Sequence, residues 1–190
     1  MIILKDKEKR ILLSAIELFS KNGYGNTTTA SIAKKANVGA GTLFIYFPTK
    51  LDLFHQALLY ANKDFIDYVK DLNEKKDFKR GMIEVWDRMV DYALMKPYEY
   101  SFIVQSKESA LVNEDFEEEL FNQGKFFSKV YNKFQSKGEV KEPFELFSIF
   151  MFHDVTATVN FINDNPDMDV DKIKRIGFDF LWKGVSLKDD

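Results

Sequence analysis

TTTASIAKKANVGAGTLFIYFPTK, residues 27–50, reads as two short helices joined by a tight turn, the second closed by a proline. Thr28 and Thr29 offer hydroxyl oxygens to the free backbone N–H groups of a starting helix, which then runs through Ala30 to Ala36 with Ile32, Ala33 and Ala36 on one face. Asn37, Val38 and Gly39 interrupt that period. Asn and Gly suit a tight connection, and Val38 is placed to plug inward. A second short helix sets Leu43 and Phe47 on one face, at i and i+4, before Pro48 stops it. Small inward residues let two helices cross closely at a steep angle, which is what a helix-turn-helix needs if its second helix is to enter a DNA major groove.

On either side the period stays helical. From about Lys5 to Asn22, Ile11, Leu12, Ala15, Leu18 and Phe19 recur at three- and four-residue spacing, which predicts an amphipathic helix with Gly23 as its stop. Beyond Pro48, a long helix from Thr49 or Lys50 to about Lys70 carries Phe54, Ala57, Leu58, Ala61 and Phe65 in a stripe. The charged stretch Asp71 to Lys79 is expected to be a loop or junction. A helix with Phe78, Met82, Val85, Trp86, Met89 and Ala93 follows and ends at Pro97, with a short helical piece around Tyr98 to Lys107. Asn113 is a good N-cap for a helix through Leu120, Phe127, Val130 and Phe134. Pro143 suits the start of the next, whose Phe144, Phe147, Ile149, Phe150, Met151, Val155, Val159 and Ile162 make it apolar around much of its circumference. Such a helix is expected to bury one face in its own domain and another against something more, such as a second copy of the chain. Asp167 or Asp169 starts a last helix with Ile173, Ile176, Phe180 and Leu181. No strand alternation or internal repeat stands out, so the expected class is all-α with about nine helices.

Composition narrows the chemistry. A chain of 190 residues that is 45% hydrophobic can bury a real core. It has no cysteine, which excludes disulfides, thiolate zinc sites and a cysteine nucleophile. Its two histidines, His55 and His153, stand far apart with no metal-ligand spacing, and neither a G-x-S-x-G nor a P-loop is present, so neither catalysis, a metal nor a cofactor is expected. No apolar run approaches the roughly 20 residues of a membrane span, and MIILKDKEKR is too poor in apolar residues for a signal-peptide core, which predicts a soluble cytoplasmic protein. Charge is unevenly spread: residues 1–50 hold eight Lys/Arg against three acidic residues, +5, leaving −8 for the remainder of a chain whose net charge is −3. A basic head on an acidic body is the partition expected of a DNA-binding protein.

The stretch from Thr28 to Lys50 resembles the DNA-binding signature of the TetR-type (tetracycline-repressor-like) regulators, T-T-x-x-I-A-x-x-A-x-V-S-x-G-T-L-Y-x-Y-F-x-x-K. Thr28, Thr29, Ile32, Ala33, Ala36, Val38, Gly41, Thr42, Leu43, Tyr46, Phe47 and Lys50 stand at matching positions. The resemblance implies a DNA-binding domain over residues 1–50 and a ligand-binding and dimerisation domain over 51–190, with a homodimer formed largely by the last two helices. Two positions depart from the pattern: Phe44 replaces a tyrosine and so lacks a phosphate-donating hydroxyl, and Gly39 replaces a capping serine.

The expected partners are a double-stranded DNA operator, a small-molecule effector and a second copy of the chain. At the DNA, Thr28, Thr42, Tyr46 and Lys50 are expected to hold the backbone, and Ala40, Gly41, Thr42 and Ile45, with Ala30, to form the face toward the bases; Thr29 and Phe44 complete the DNA-binding candidates, Phe44 at a position that has lost its phosphate contact. That face offers no Arg, Lys, Asn or Gln for a paired base contact. Nineteen phenylalanines suggest a pocket for an apolar or aromatic ligand, with Trp86, Met89, Phe102, Gln105, Phe127, Phe150, His153 and Asp154 as candidate lining. Phe147, Met151, Val155, Thr158, Ile173, Ile176 and Phe180 are the candidates for a dimer seam. The expected function is a ligand-responsive repressor. The alternative is a non-catalytic carrier or interaction protein with a weak DNA-binding head.

Overall fold

A computed structural model describes residues 6–70, 77–107, 109–140 and 142–185. Lys5 and residues 71–76 of the expected junction lie outside the described residues. The described residues form nine helices: α1 (Asp6–Asn26), α2 (Thr29–Lys35), α3 (Ala40–Tyr46), α4 (Lys50–Val69), α5 (Phe78–Met95), α6 (Pro97–Ser106), α7 (Glu114–Gln135), α8 (Phe144–Asp164) and α9 (Val170–Val185). The class is all-α, as the period predicts.

Local chemistry explains most of the boundaries. Gly23, at φ 76°, breaks α1 where a stop is expected, but a last helical stretch to Asn26 follows the kink. Asp77 caps α5 through Arg80 N–H at 3.1 Å, so Lys79 lies inside that helix and not in the junction. Pro97 occupies the first turn of α6, where its missing N–H costs nothing. Asn113 Oδ1 accepts from Phe116 N–H at 3.0 Å to cap α7, and Asp169 Oδ1 accepts from Lys172 N–H at 3.1 Å to cap α9. Pro143 stands one position before α8, as its N-cap.

The described residues fall into two compact units. The first holds the chain up to Asp64 together with Lys96–Phe121, and its α1 packs along α6 and against α2. An aromatic cluster forms its centre: Phe19 stacks on Phe102 at 5.9 Å and on Tyr24 at 5.7 Å, and the edge of Phe54 meets Phe102 at 5.3 Å. His55, to which sequence reasoning assigned nothing, stacks on Phe116 at 4.1 Å while its Nε2 pairs with the Leu111 carbonyl at 2.8 Å, tying the segment before α7 to α4.

The second unit holds Phe65–Met95 and Asn122–Asp190, with α8 packed on α5 and α9. Trp86 is fully enclosed there and donates its Nε1–H to the Lys174 carbonyl at 2.9 Å. Close approach of the helices depends on Gly177, where a Cβ would stand 2.5 Å from Thr158 Oγ1 and 2.8 Å from the Trp86 ring. Phe147 stacks on Tyr131 at 4.8 Å in the same core.

Candidate nucleic-acid interface

Three helices set the recognition surface. Ile11, Leu12, Ala15, Ile16 and Phe19 of α1, Ile32, Ala33 and Ala36 of α2, and Leu43 and Phe47 of α3 are all buried, so each short helix surrenders one face to a shared core. Thr28 caps α2, its Oγ1 accepting from Ser31 N–H at 3.1 Å. At the far end Asn37 takes the left-handed conformation, φ 53°, and lets Val38 N–H reach the Ala33 carbonyl at 3.0 Å while Asn37 N–H reaches that of Lys34 at 3.2 Å. This is a Schellman turn with asparagine in place of the usual glycine. It directs α3 back across α2, with Val38 half-buried between them in sequence.

Thr27 and the pair Thr49–Asp52 tie this motif down. The hydroxyl of Thr27, 1% exposed, donates toward two carbonyls, Gly23 at 2.8 Å and Leu18 at 3.1 Å, holding the start of α2 to the end of α1. Thr49 and Asp52 cap α4 reciprocally: Asp52 N–H donates to Thr49 Oγ1 at 3.0 Å, and Thr49 N–H to Asp52 Oδ2 at 3.0 Å. The signal for the second was present in the T-x-x-D spacing. For Thr27 none was, because its partners lie in a different helix.

Outward from this core, α3 presents Ala40, Gly41, Phe44 and Ile45, all exposed, with Thr42 and Tyr46 half-buried on its flank. Gly39, at the N-cap, supplies no side-chain cap. Thr28 and Ala30 are exposed on α2 and at its cap, and Thr29 is half-buried. Lys34 is exposed beside them. Lys35 is engaged, its ammonium 2.9 Å from Glu17, which also meets Lys21 at 2.8 Å; the Lys21 hydrogen bond and then that of Lys35 hold the Glu17 carboxyl below its ordinary value. Lys50 lies over the Tyr24 ring, 4.1 Å from its centre.

The candidate pocket residues are divided between the two units. Phe102 and Gln105 belong to the first unit, where with Phe19, Gly23, Tyr24 and Phe54 they line a cavity of about 150 Å3. Trp86, Met89, Phe127, Phe150, His153 and Asp154 belong to the second. Among those, Trp86 and Met89 are buried, Phe127 and Asp154 half-buried, and Phe150 and His153 exposed. Asp154 Oδ2 is buried without a hydrogen-bond partner, and burial pushes this carboxyl above its ordinary value.

The dimer candidates divide as well. Phe147, Met151, Val155, Thr158 and Ile173 are buried inside their own unit, whereas Ile176 and Phe180 are exposed. The exposed large apolar residues of α8 are Leu146, Ile149, Phe150 and Phe161, on a different face from Phe147, Met151 and Val155. No described helix is long and apolar enough to cross a membrane, and no cluster of three or more metal-ligating side chains occurs among the described residues.

Residues 11–57 match the family model of the bacterial regulatory proteins of the tetR family. That stretch is a TetR-family DNA-binding motif. That match begins at Ile11 in α1 and ends at Ala57 in α4, and so covers every residue of the recognition surface just described. The chain is 34% identical over 77 residues, 40% of its length, to the HTH-type transcriptional regulator YuxN of Bacillus subtilis (strain 168), and spans only 26% of that relative. Its fold is that of a TetR family transcription regulator from Marinobacter aquaeolei VT8, with a TM-score of 0.87 at 21% identity over 95% of this chain and 96% of that one. It is also the fold of the transcriptional regulator FadR from Bacillus subtilis, solved in complex with stearoyl-CoA, with a TM-score of 0.68 at 21% identity over 93% and 98% of the two chains.

Proposed function

We propose that this protein is a ligand-responsive DNA-binding transcriptional regulator, a homodimeric repressor released from its operator when a small apolar or aromatic molecule binds. The observation that carries the reading is the outward face of α3. Its buried residues hold it against α2, and what remains, from Ala40 to Ile45, is an exposed helix face of the size a major groove admits. Residues 1–50 would act as the DNA-binding domain and 51–190 as the ligand-binding and dimerisation domain.

Homodimerisation is supported by the exposed apolar face of the last two helices, where Ile149, Phe150, Ile176 and Phe180 are 53%, 58%, 46% and 73% exposed. An apolar effector is supported by the stearoyl-CoA carried by the Bacillus FadR, and by the nineteen phenylalanines of this chain. A dimer presents two copies of α3 to successive major grooves about 34–36 Å apart. Ligand favours a separation that no longer matches. A 100-fold release then requires the ligand to bind the non-DNA form more tightly by about 2.7 kcal/mol.

The test is fluorescence-anisotropy titration of the whole protein with DNA from upstream of its own gene and with scrambled DNA, across a salt series. Specific binding is expected, with log affinity falling against log salt at about 0.9 per phosphate neutralised. Equal, weak binding to both DNAs, repeated with duplexes drawn from a random pool, would overturn the reading in favour of a carrier.

A further inference from the structure

The outward arc of α3 is graded in size along the helix. Ala40 and Gly41 form its first turn; one turn on, at i+4 from each, stand Phe44 and Ile45, 46% and 81% exposed. The fold accounts for neither feature. An isoleucine that open to solvent adds little burial to the core. Gly41 has no left-handed backbone and no neighbour within 4 Å of where a Cβ would stand, although glycine weakens a helix relative to alanine.

One partner accounts for both. Small residues in the first turn let the helix backbone close on base edges, and a branched apolar side chain one turn later then reaches the floor of the groove. What such a side chain can recognise there is the C5 methyl of thymine, the single apolar group among the base edges of the major groove. The face carries no Arg, Lys, Asn or Gln to read guanine or adenine through paired hydrogen bonds. Exposed Lys34, at the end of α2, complements phosphate, which favours DNA over an apolar protein surface as the occupant of this face.

We infer that Ile45, with Phe44 beside it, is the specificity-determining residue of the interface and reads thymine methyl groups, so that the operator is A·T-rich where α3 meets it. The inference rests on the DNA-binding reading above. Selection of duplexes from a random pool by the whole protein, followed by base replacement in the enriched site, tests it. The expected site has A·T pairs at its most discriminating positions. Replacing a contacted thymine there by uracil, which deletes only the methyl, should weaken binding about fourfold, the worth of one buried methyl group. Replacing a discriminating T·A pair by C·G should weaken it further, and 5-methylcytosine in place of that cytosine should recover about the same factor. Ile45→Ala, at a position too exposed to matter for folding, should bring the thymine-to-uracil ratio to about one, while Ile45→Val retains most of it. Enrichment of G·C at the discriminating positions, or indifference of the wild-type protein to uracil, would overturn the inference and leave the regulator standing. A pool from which no sequence is enriched would remove the DNA-binding reading and this inference together.

Discussion

Helices α3 and α8 both hold large apolar side chains out to solvent, but they differ in how much of themselves they bury. The seven residues of α3 give only Leu43 to the core, joined by Phe47 just beyond its end, and most of the rest face outward or lie on the flank. The twenty-one residues of α8 carry two apolar stripes: Phe147, Met151, Val155, Val159 and Ile162 are covered, while Leu146, Ile149, Phe150 and Phe161 are 41%, 53%, 58% and 48% exposed. A helix with one apolar stripe announces its inward face in its spacing. One with two does not, because both stripes satisfy the same period and only packing against α5 and α9 distinguishes them.

The contrast within α8 and α9 predicts opposite outcomes for similar substitutions. Phe147→Ala, from the covered stripe, should cost about 3–5 kcal/mol in denaturant unfolding, as buried phenylalanines generally do. Phe180→Asp, from the exposed face of α9, should leave the helix content by circular dichroism unchanged and instead lower the sedimenting mass of the proposed homodimer to that of a monomer. Loss of helix from Phe180→Asp would show that this face belongs to the monomer's own core after all.

In the recognition motif the next largest effect is expected at Thr27. Thr27→Val keeps the shape and removes a buried hydroxyl that serves two backbone carbonyls, so it should cost about 1–2 kcal/mol in the same unfolding experiment. An effect near zero would mean that water replaces the hydroxyl and that the motif is held by its apolar core alone.

Gly41→Ala is smaller in stability and opposite in sign. With open space around the site, the alanine should stabilise the fold by about 0.5–1 kcal/mol while weakening DNA binding in the anisotropy titration. If affinity does not fall, the missing side chain is not reserved for the approach to DNA.

The smallest effect is expected in the second unit, at Asp154. Burial raises this carboxyl above its ordinary value of 3.8, so the ionised form is the disfavoured one. Its burden on stability is absent below pH 3.8 and complete once the pH exceeds the raised value. Asp154→Asn should therefore raise the melting temperature at pH 7 but not at pH 3, by an amount worth less than about 1 kcal/mol because solvent still screens the group. A gain that is equal at both pH values would place its origin outside the charge.

How far the sequence could be read followed from the range of the interactions involved. The order and type of the helices were legible, and in the recognition motif so were most boundaries, since Thr28, Asn37 and Pro48 act within a few residues of themselves. The outward placement of Phe44 and Ile45 was legible too, because Leu43 and Phe47 leave only one way for so short a helix to turn. Thr27 and His55 were missed because Leu18, nine residues back in α1, in one case and Leu111 with Phe116 in the other are brought to them only by folding. The eight candidate pocket residues are divided between the two units, and Phe102 and Gln105 share the described cavity of the first.

Local chemistry written along the chain thus determined an all-helical protein with a helix-turn-helix near its start, and the family match rests on that same stretch. Which apolar stripe of α8 became core was decided by packing. Two stripes of similar hydrophobicity compete for burial, and the one covered by neighbouring helices loses its water, leaving Ile149 and Phe150 exposed where Phe147 and Met151 are not.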